Sequence, residues 1–145
     1  MSDPELLKEL ARWVRYAGDD LKVAELILNH DLVPRAACFN AQQCAEKSIK
    51  ASLVFLQIPF PKTHDLNRLR DLLPEGWDVK EDFPDLAELS AWAVEPRYPG
   101  DVIEATRQDA ETSVDQARNI FETTWEDLKR HGYRPDEPER TKENG

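Results

Sequence analysis

The sequence predicts an all-α protein, an antiparallel up-and-down helical bundle with three long helices and two short ones. Apolar residues recur at three- and four-residue spacing over three long stretches, which is typical of amphipathic helices. Proline and glycine punctuate the chain between these stretches, and no strand-like alternation lasts more than a few residues. With 145 residues the chain is long enough for one domain with a buried core, which such helices form by packing side by side.

The first predicted helix runs from about Pro4 to Asn29. Ser2 or Asp3 is placed to cap its start, and proline is favoured at the first helical position. Residues 29–34 are expected to form a turn. The apolar residues in register on this helix are Leu10, Trp13, Val14, Ala17, Leu21, Ala24 and Leu28.

The second predicted helix runs from about Pro34 to Gln57 and is apolar nearly all round. At 100° per residue, its outward polar side chains fall within a wedge of roughly 80°. We call this set the polar wedge, and it consists of Asn40, Gln43, Lys47 and Lys50. Glu46 lies just outside the wedge, four residues before Lys50, with which it can pair. The polar wedge is either a solvated stripe or the lining of a polar pocket or subunit interface, where its lysines and amides would suit a phosphate or carboxylate group.

A short third helix is predicted to reach Leu73, with Thr63 or Asp65 as its cap. The turn before it contains Lys62 and His64. A helix N-terminus beside a lysine and a histidine could bind an anion. The simpler interpretation is that the turn only caps the helix, while His64 bonds a neighbouring element.

The remaining chain is predicted to contain two more helices. Residues 77–83 are expected to be irregular, and a fourth helix is expected over about Asp85–Glu95. The last helix is predicted over about Asp101–Arg130, with Asp101 as its cap. The domain is therefore assigned to residues 1–131, and the polar, proline-bearing tail of residues 132–145 is expected to be disordered.

Arg97 and Tyr98 stand between Pro96 and Pro99, which restrict the backbone on both sides. This arrangement could present both side chains for recognition. Equally, Tyr98 could fill the core while Arg97 pairs with a carboxylate.

Composition narrows the classes of function. A formal net charge of −10 argues against broad, sequence-independent binding to DNA or RNA, because such binding depends on neutralising phosphates. Cys38 and Cys44 are six residues apart on one helix, too far for a disulfide, and the sequence offers no metal-ligand spacing. We expect no cofactor and no metal. No signal peptide and no membrane-spanning apolar run is visible, so a cytoplasmic location is expected.

Three segments in order resemble the HEPN family (the higher eukaryote and prokaryote nucleotide-binding domain): FNAQQCAEKSIKASL, KTHDL and RYPGD. The resemblance implies a helical bundle that forms a homodimer and binds a nucleotide. It also implies a small nucleotidyltransferase as partner protein, in prokaryotic toxin–antitoxin-like systems. The positions that match the family pattern are Gln43, Glu46, Lys47, Lys50, His64, Arg97 and Tyr98.

One subset of the HEPN family consists of ribonucleases that use an arginine followed, after four to six intervening residues, by a histidine. None of His30, His64 and His131 has an arginine at that distance before it, so the motif is absent. The favoured hypothesis is therefore a non-catalytic, dimeric module that binds a nucleotide or a partner nucleotidyltransferase. Two alternatives remain: a metal-independent ribonuclease with His64 as general base and Arg97 on the phosphate, and a purely structural dimerisation module.

Overall fold

The computed structural model describes residues 3–93 and 104–135 of the chain. They form α-helices joined by turns and loops, without a strand, which confirms the all-α prediction. The helices are α1 (Pro4–Asn29), α2 (Pro34–Leu56), α3 (Leu66–Asp71), α4 (Asp78–Asp82), α5 (Ala87–Ala91) and α6 (Arg107–Arg130).

The other two long helices, α1 and α6, pack against α2. Fourteen of its 23 residues are buried, which explains why its sequence is apolar nearly all round. At the end of α1, the carbonyl of Leu28 accepts a hydrogen bond from Arg107, the first residue of α6, at 3.2 Å. At the end of α2, the Phe55 ring lies 6.4 Å from the ring of Tyr133, which follows α6. Thus α1 is antiparallel to both α2 and α6, and the short helices return the chain between those two.

The boundaries of the first two helices agree with prediction because local signals determine them. Asp3 caps α1 by accepting a hydrogen bond from the backbone N–H of Glu5 at 3.0 Å. α2 ends at Leu56, and its cap residue Gln57 adopts a left-handed conformation with φ of 58°. Asp65 caps α3 through the N–H of Arg68, so the aspartate, rather than Thr63, is the cap of that helix.

The prediction that residues 77–83 are irregular was wrong, since they contain α4. The cap residue Trp77 supplies no side-chain hydrogen bond. Instead, the buried carboxylate of Asp127 on α6 accepts hydrogen bonds from the N–H groups of Asp78 and Val79, both at 3.0 Å. A residue 48 positions away therefore stabilises the start of this helix, and no local sequence signal could have shown it.

The last two predicted helices are shorter than expected. α5 covers only Ala87–Ala91, and bonds of the tighter i to i+3 type close it at Trp92. α6 begins at Arg107 because Thr106 forms a capping box with Asp109. The predicted cap Asp101 lies outside the described residues, as does the predicted end at Glu95.

Both cysteines lie on α2, buried and free. Burial raises the pKa of the Cys44 thiol to about 12, and burial also raises the pKa of Cys38. They are small core residues. Among the described helices, none is long and apolar enough to span a membrane.

Candidate functional site

Glu46 is the centre of a polar network on α2. Its side chain is only 7% exposed, and both carboxylate oxygens have partners. Oε2 accepts a hydrogen bond from Lys50 Nζ at 2.8 Å, while Oε1 accepts one from Gln42 Nε2 at 3.1 Å. Gln42, Glu46 and Lys50 follow one another at four-residue intervals, which aligns them along one face of the helix.

His64 completes this network from the loop before α3. Its Nδ1 lies 2.9 Å from Glu46 Oε1, and its backbone carbonyl accepts a hydrogen bond from Gln42 Nε2 at 3.1 Å. The imidazole is nevertheless 67% exposed. We call Gln42, Glu46, Lys50 and His64 the Glu46 network, and His64 is its solvent-facing member.

Hydrogen bonding keeps the buried carboxyl of Glu46 ionised. Burial alone would raise its pKa, but hydrogen bonds from Lys50, His64 and Gln42 outweigh burial and lower the pKa below its usual value. A carboxylate can only accept a hydrogen bond, so Nδ1 of His64 must carry a proton to donate to Glu46. In a neutral ring the lone pair is then on Nε2. The network therefore orients the His64 ring and leaves Nε2 as its accessible hydrogen-bonding atom.

An aromatic pair holds Lys50 in place. Its Nζ lies 5.8 Å from the ring centroid of Trp13 and 5.4 Å from that of Phe60, and the two rings pack edge to face. Its side chain is only 12% exposed. Because Lys50 is enclosed by two rings and paired with Glu46, its charge serves the network rather than a ligand in solution.

The other members of the polar wedge use their polar groups internally. Lys47 Nζ pairs with Asp20 of α1 at 2.6 Å. Gln43 Nε2 donates to Gln42 Oε1 at 2.7 Å, and Asn40 Nδ2 donates to the carbonyl of Ala36 one turn earlier, at 2.9 Å. The wedge thus joins α2 to α1 and to the Glu46 network, and both of its lysines already have carboxylate partners.

Sequence reasoning missed Gln42 and could not place two other candidates. Gln42 is fully buried, and it joins Glu46, Gln43 and the carbonyl of His64. The signal that could have identified it is its spacing of four residues from Glu46. Arg97 and Tyr98 lie outside the described residues, so their proposed roles stay predictions.

His64 borders a shallow groove of about 370 Å³ between α3 and α5. Asp65, Asn67 and Ser90 contribute polar groups, and three alanines of α5 and its end form the apolar part. The groove places the exposed imidazole beside a surface that a partner molecule could contact.

Comparison with known proteins identifies the family to which this chain belongs. The family model of the HEPN domain matches residues 10–128, which include most of all three long helices and the whole Glu46 network. The chain belongs to the HEPN family. A solved HEPN homologue from an archaeon, ST0689, is 26% identical and superimposes with a TM-score of 0.60 over 79% of this chain and 93% of its own.

Two further proteins resemble this HEPN chain over most of their length. The crystal structure of TT1696 from Thermus thermophilus is 30% identical, with a TM-score of 0.68 over 82% of this chain and 98% of that one. A curated protein of Methanocaldococcus jannaschii named "Putative toxin MJ1304" is 28% identical over 138 residues, covering 85% of this chain and 90% of its own.

Proposed function

We propose that this HEPN protein is the non-catalytic member of a toxin–antitoxin-like pair, and that as a homodimer it binds a partner nucleotidyltransferase through the surface around His64. The observation that carries the proposal is the Glu46 network. It orients one exposed imidazole, that of His64, while the other polar groups of the network form hydrogen bonds with one another. The similarity to a protein named as a toxin supports the biological setting.

The charges favour a protein partner over a nucleotide. A phosphate site needs cationic groups that are free to approach the ligand. Lys47 and Lys50 instead face Asp20 and Glu46 at 2.6 and 2.8 Å, and separating either pair to bind a phosphate would cost those interactions. Nucleotide binding, which the family resemblance also implies, therefore becomes the second outcome to be tested.

The test uses the gene neighbourhood and the purified pair. We expect a nucleotidyltransferase gene beside this one, and co-expression of the two proteins should yield a stable complex. His64→Ala should weaken the complex at least about tenfold, which corresponds to the roughly 1.4 kcal/mol typical of one interface contact. His30→Ala is the matched control, because His30 is also exposed but bonds the carbonyl of Leu26 on its own helix.

Calorimetric titration with ATP, GTP and their monophosphates completes the test. Under the proposal, millimolar nucleotide gives no heat with the isolated protein. Heat that disappears in the Lys47→Ala variant would instead assign nucleotide binding to the polar wedge. Absence of any complex with the nucleotidyltransferase would contradict the proposal.

The geometry of His64 also favours one second candidate, a metal-independent ribonuclease. An imidazole whose Nδ1 meets a buried carboxylate and whose Nε2 is accessible is the arrangement of a general base with an orienting partner. We expect no cleavage of a labelled single-stranded RNA by the purified protein. Cleavage that is lost in His64→Ala and retained in His30→Ala would establish the ribonuclease instead.

A further inference from the structure

Lys50 and His64 share a single carboxylate. Glu46 accepts a hydrogen bond from Lys50 Nζ on Oε2 at 2.8 Å, and its Oε1 lies 2.9 Å from His64 Nδ1. The surroundings of the two partners differ, because the His64 ring is mostly exposed whereas the Lys50 side chain is enclosed. An enclosed cation and an exposed titratable ring therefore draw on the same negative charge.

Lys50 is the stronger of these two partners. Burial raises the pKa of Glu46, but hydrogen bonds outweigh this effect, and the bond from Lys50 contributes more than the bond from His64. The rings of Trp13 and Phe60, 5.8 and 5.4 Å from Nζ, also suit a charged ammonium group. Lys50 and Glu46 thus form an ion pair without net charge, and the aromatic rings hold it in place.

His64 meets a carboxylate whose charge is already compensated. Imidazole changes its charge between about pH 5 and pH 8, and a nearby negative charge favours the charged form. Because Lys50 compensates Glu46, the carboxylate can accept the Nδ1 hydrogen bond without stabilising a second proton on the ring.

The other groups around His64 leave this balance to Lys50 and Glu46. In the loop that carries His64, Lys62 and Asp65 flank it with opposite charges. Asn67 of α3 lines the adjoining groove and carries no charge, and the same holds for the residues that α5 and its end contribute, which are three alanines and Ser90.

The charge of the ring decides what its exposed atom can bind. With Nδ1 donating to Glu46, a neutral ring presents the lone pair of Nε2, which accepts a hydrogen bond. A charged ring has a proton on both nitrogens, so it would donate from Nε2 and would attract an anion.

We propose that Lys50 is a positioning residue which, by compensating Glu46, keeps His64 uncharged and thereby selects a hydrogen-bond donor as the partner group at Nε2. The inference rests on the proposed function, in which the surface around His64 binds the partner protein. It specifies the chemistry of that contact: a hydroxyl, an amide N–H or an ammonium group fits, whereas a carboxylate or a phosphate does not.

The direct test is an NMR titration of the His64 ring in the isolated full chain. Lys50→Met keeps an unbranched apolar side chain between the two aromatic rings but removes the charge. The ring should then take up its second proton at a pH about one unit higher than in the wild type, a tenfold change in proton affinity. Lys50→Arg retains the charge and should titrate like the wild type.

Lys129→Met is the matched control for the loss of a lysine charge. Lys129 also lies near a tryptophan ring, 5.9 Å from the centroid of Trp125, and pairs with Glu126 at 3.2 Å, but on α6. This variant should leave the His64 titration within about 0.2 pH units, because exposed charges are screened over distance.

A second uncharged variant keeps the test decisive if Lys50→Met does not fold. In Lys50→Gln the amide can still donate to Glu46 but carries no charge, so the same upward shift is expected. An unchanged His64 titration in a folded Lys50→Met or Lys50→Gln protein would overturn the role given to Lys50.

The complex with the nucleotidyltransferase tests the selection of a donor. The wild-type complex should weaken from pH 8 to pH 6, as the ring becomes charged. Lys50→Met should weaken it about threefold at pH 7 and match the wild type at pH 9, where the ring is neutral in both proteins. His64→Ala should instead remain weak at both pH values.

The outcomes separate this inference from the proposed function. A wild-type complex that tightens towards pH 6 would overturn the donor and point to an anionic partner group, with the proposed function left standing. Absence of any complex would overturn the proposed function together with the selection of a donor, while the NMR titration of the isolated chain would still decide the role of Lys50.

Discussion

At the scale of the residue, Glu46 explains why the polar wedge is not an open binding site. A buried carboxylate is stable only when its charge and lone pairs are satisfied, and three neighbours do this here. As a consequence, the charge of Lys50 is already paired with Glu46 and is not available to a ligand. The sequence suggested that Lys50 could bind an anion. In the structure the polar group of this network that solvent can reach is the imidazole of His64.

The pKa of Glu46 predicts how the stability of the protein depends on pH. Because the folded state lowers this pKa below its ordinary value of 4.5, Glu46 stabilises the fold above pH 4.5, and this contribution is lost as the pH falls through the folded-state pKa. Glu46→Gln should lower the free energy of unfolding by about 3–5 kcal/mol at pH 7, as expected on breaking a buried ion pair. Urea denaturation between pH 7 and pH 3 should show this difference narrowing at the acidic end.

The matched control for this prediction is Glu111→Gln. Glu111 pairs with Arg107 at 3.2 Å, but both side chains are 43% or more exposed, so the expected change is within about 0.5 kcal/mol. A Glu46→Gln difference that stays constant from pH 7 to pH 3 would contradict the assignment of the linkage to this carboxyl.

At the scale of the element, the sequence predicted most of what is determined locally, and the exception is the start of α6, where the prediction overlooked the local capping box of Thr106 and Asp109. Periodicity and local signals such as the Asp3 cap placed α1 and α2 to within a residue, because these signals lie beside the helices that they bound. α4 was missed because its stabilising group, Asp127, is supplied by another helix. The site divides in the same way: the Glu46–Lys50 pair was predictable from its spacing, whereas the contact from His64, 18 residues away, depends on the tertiary fold.

Asp127 gives a test at this scale. Its fully buried carboxylate bonds two N–H groups of α4 and Arg130 Nη2, the last at 2.7 Å. Asp127→Ala would leave those N–H groups unsatisfied, and we expect a loss of about 3 kcal/mol in the free energy of unfolding, measured by urea denaturation. Asp115→Ala, on the exposed side of the same helix, should change it by less than about 0.5 kcal/mol. Equal effects would refute the role given to Asp127.

At the scale of the whole molecule, one helix determines the arrangement of the rest. Because α2 is buried on most sides, α1 and α6 must cover it, and they contact one another through pairs such as Arg118 and Glu25 at 2.8 Å. α2 and α6 run in the same direction, so the ends of both helices meet at one end of the bundle. There Phe55, Trp77 and Tyr133 close the core.

Tyr133 belongs to this closure although the sequence assigned it to the tail. Gly132 adopts a φ of 107°, and the N–H of Tyr133 then donates to the carbonyl of Leu128 at 2.9 Å, which turns the chain back onto the bundle. The ring is 7% exposed and lies 5.9 Å from Trp125.

Tyr133→Ala should therefore lower the free energy of unfolding by about 3–5 kcal/mol. A chain truncated after Pro135 should match the wild type within about 0.5 kcal/mol in the same urea denaturation. If the truncation instead costs as much as Tyr133→Ala, the tail contributes to the fold and the domain extends beyond Pro135.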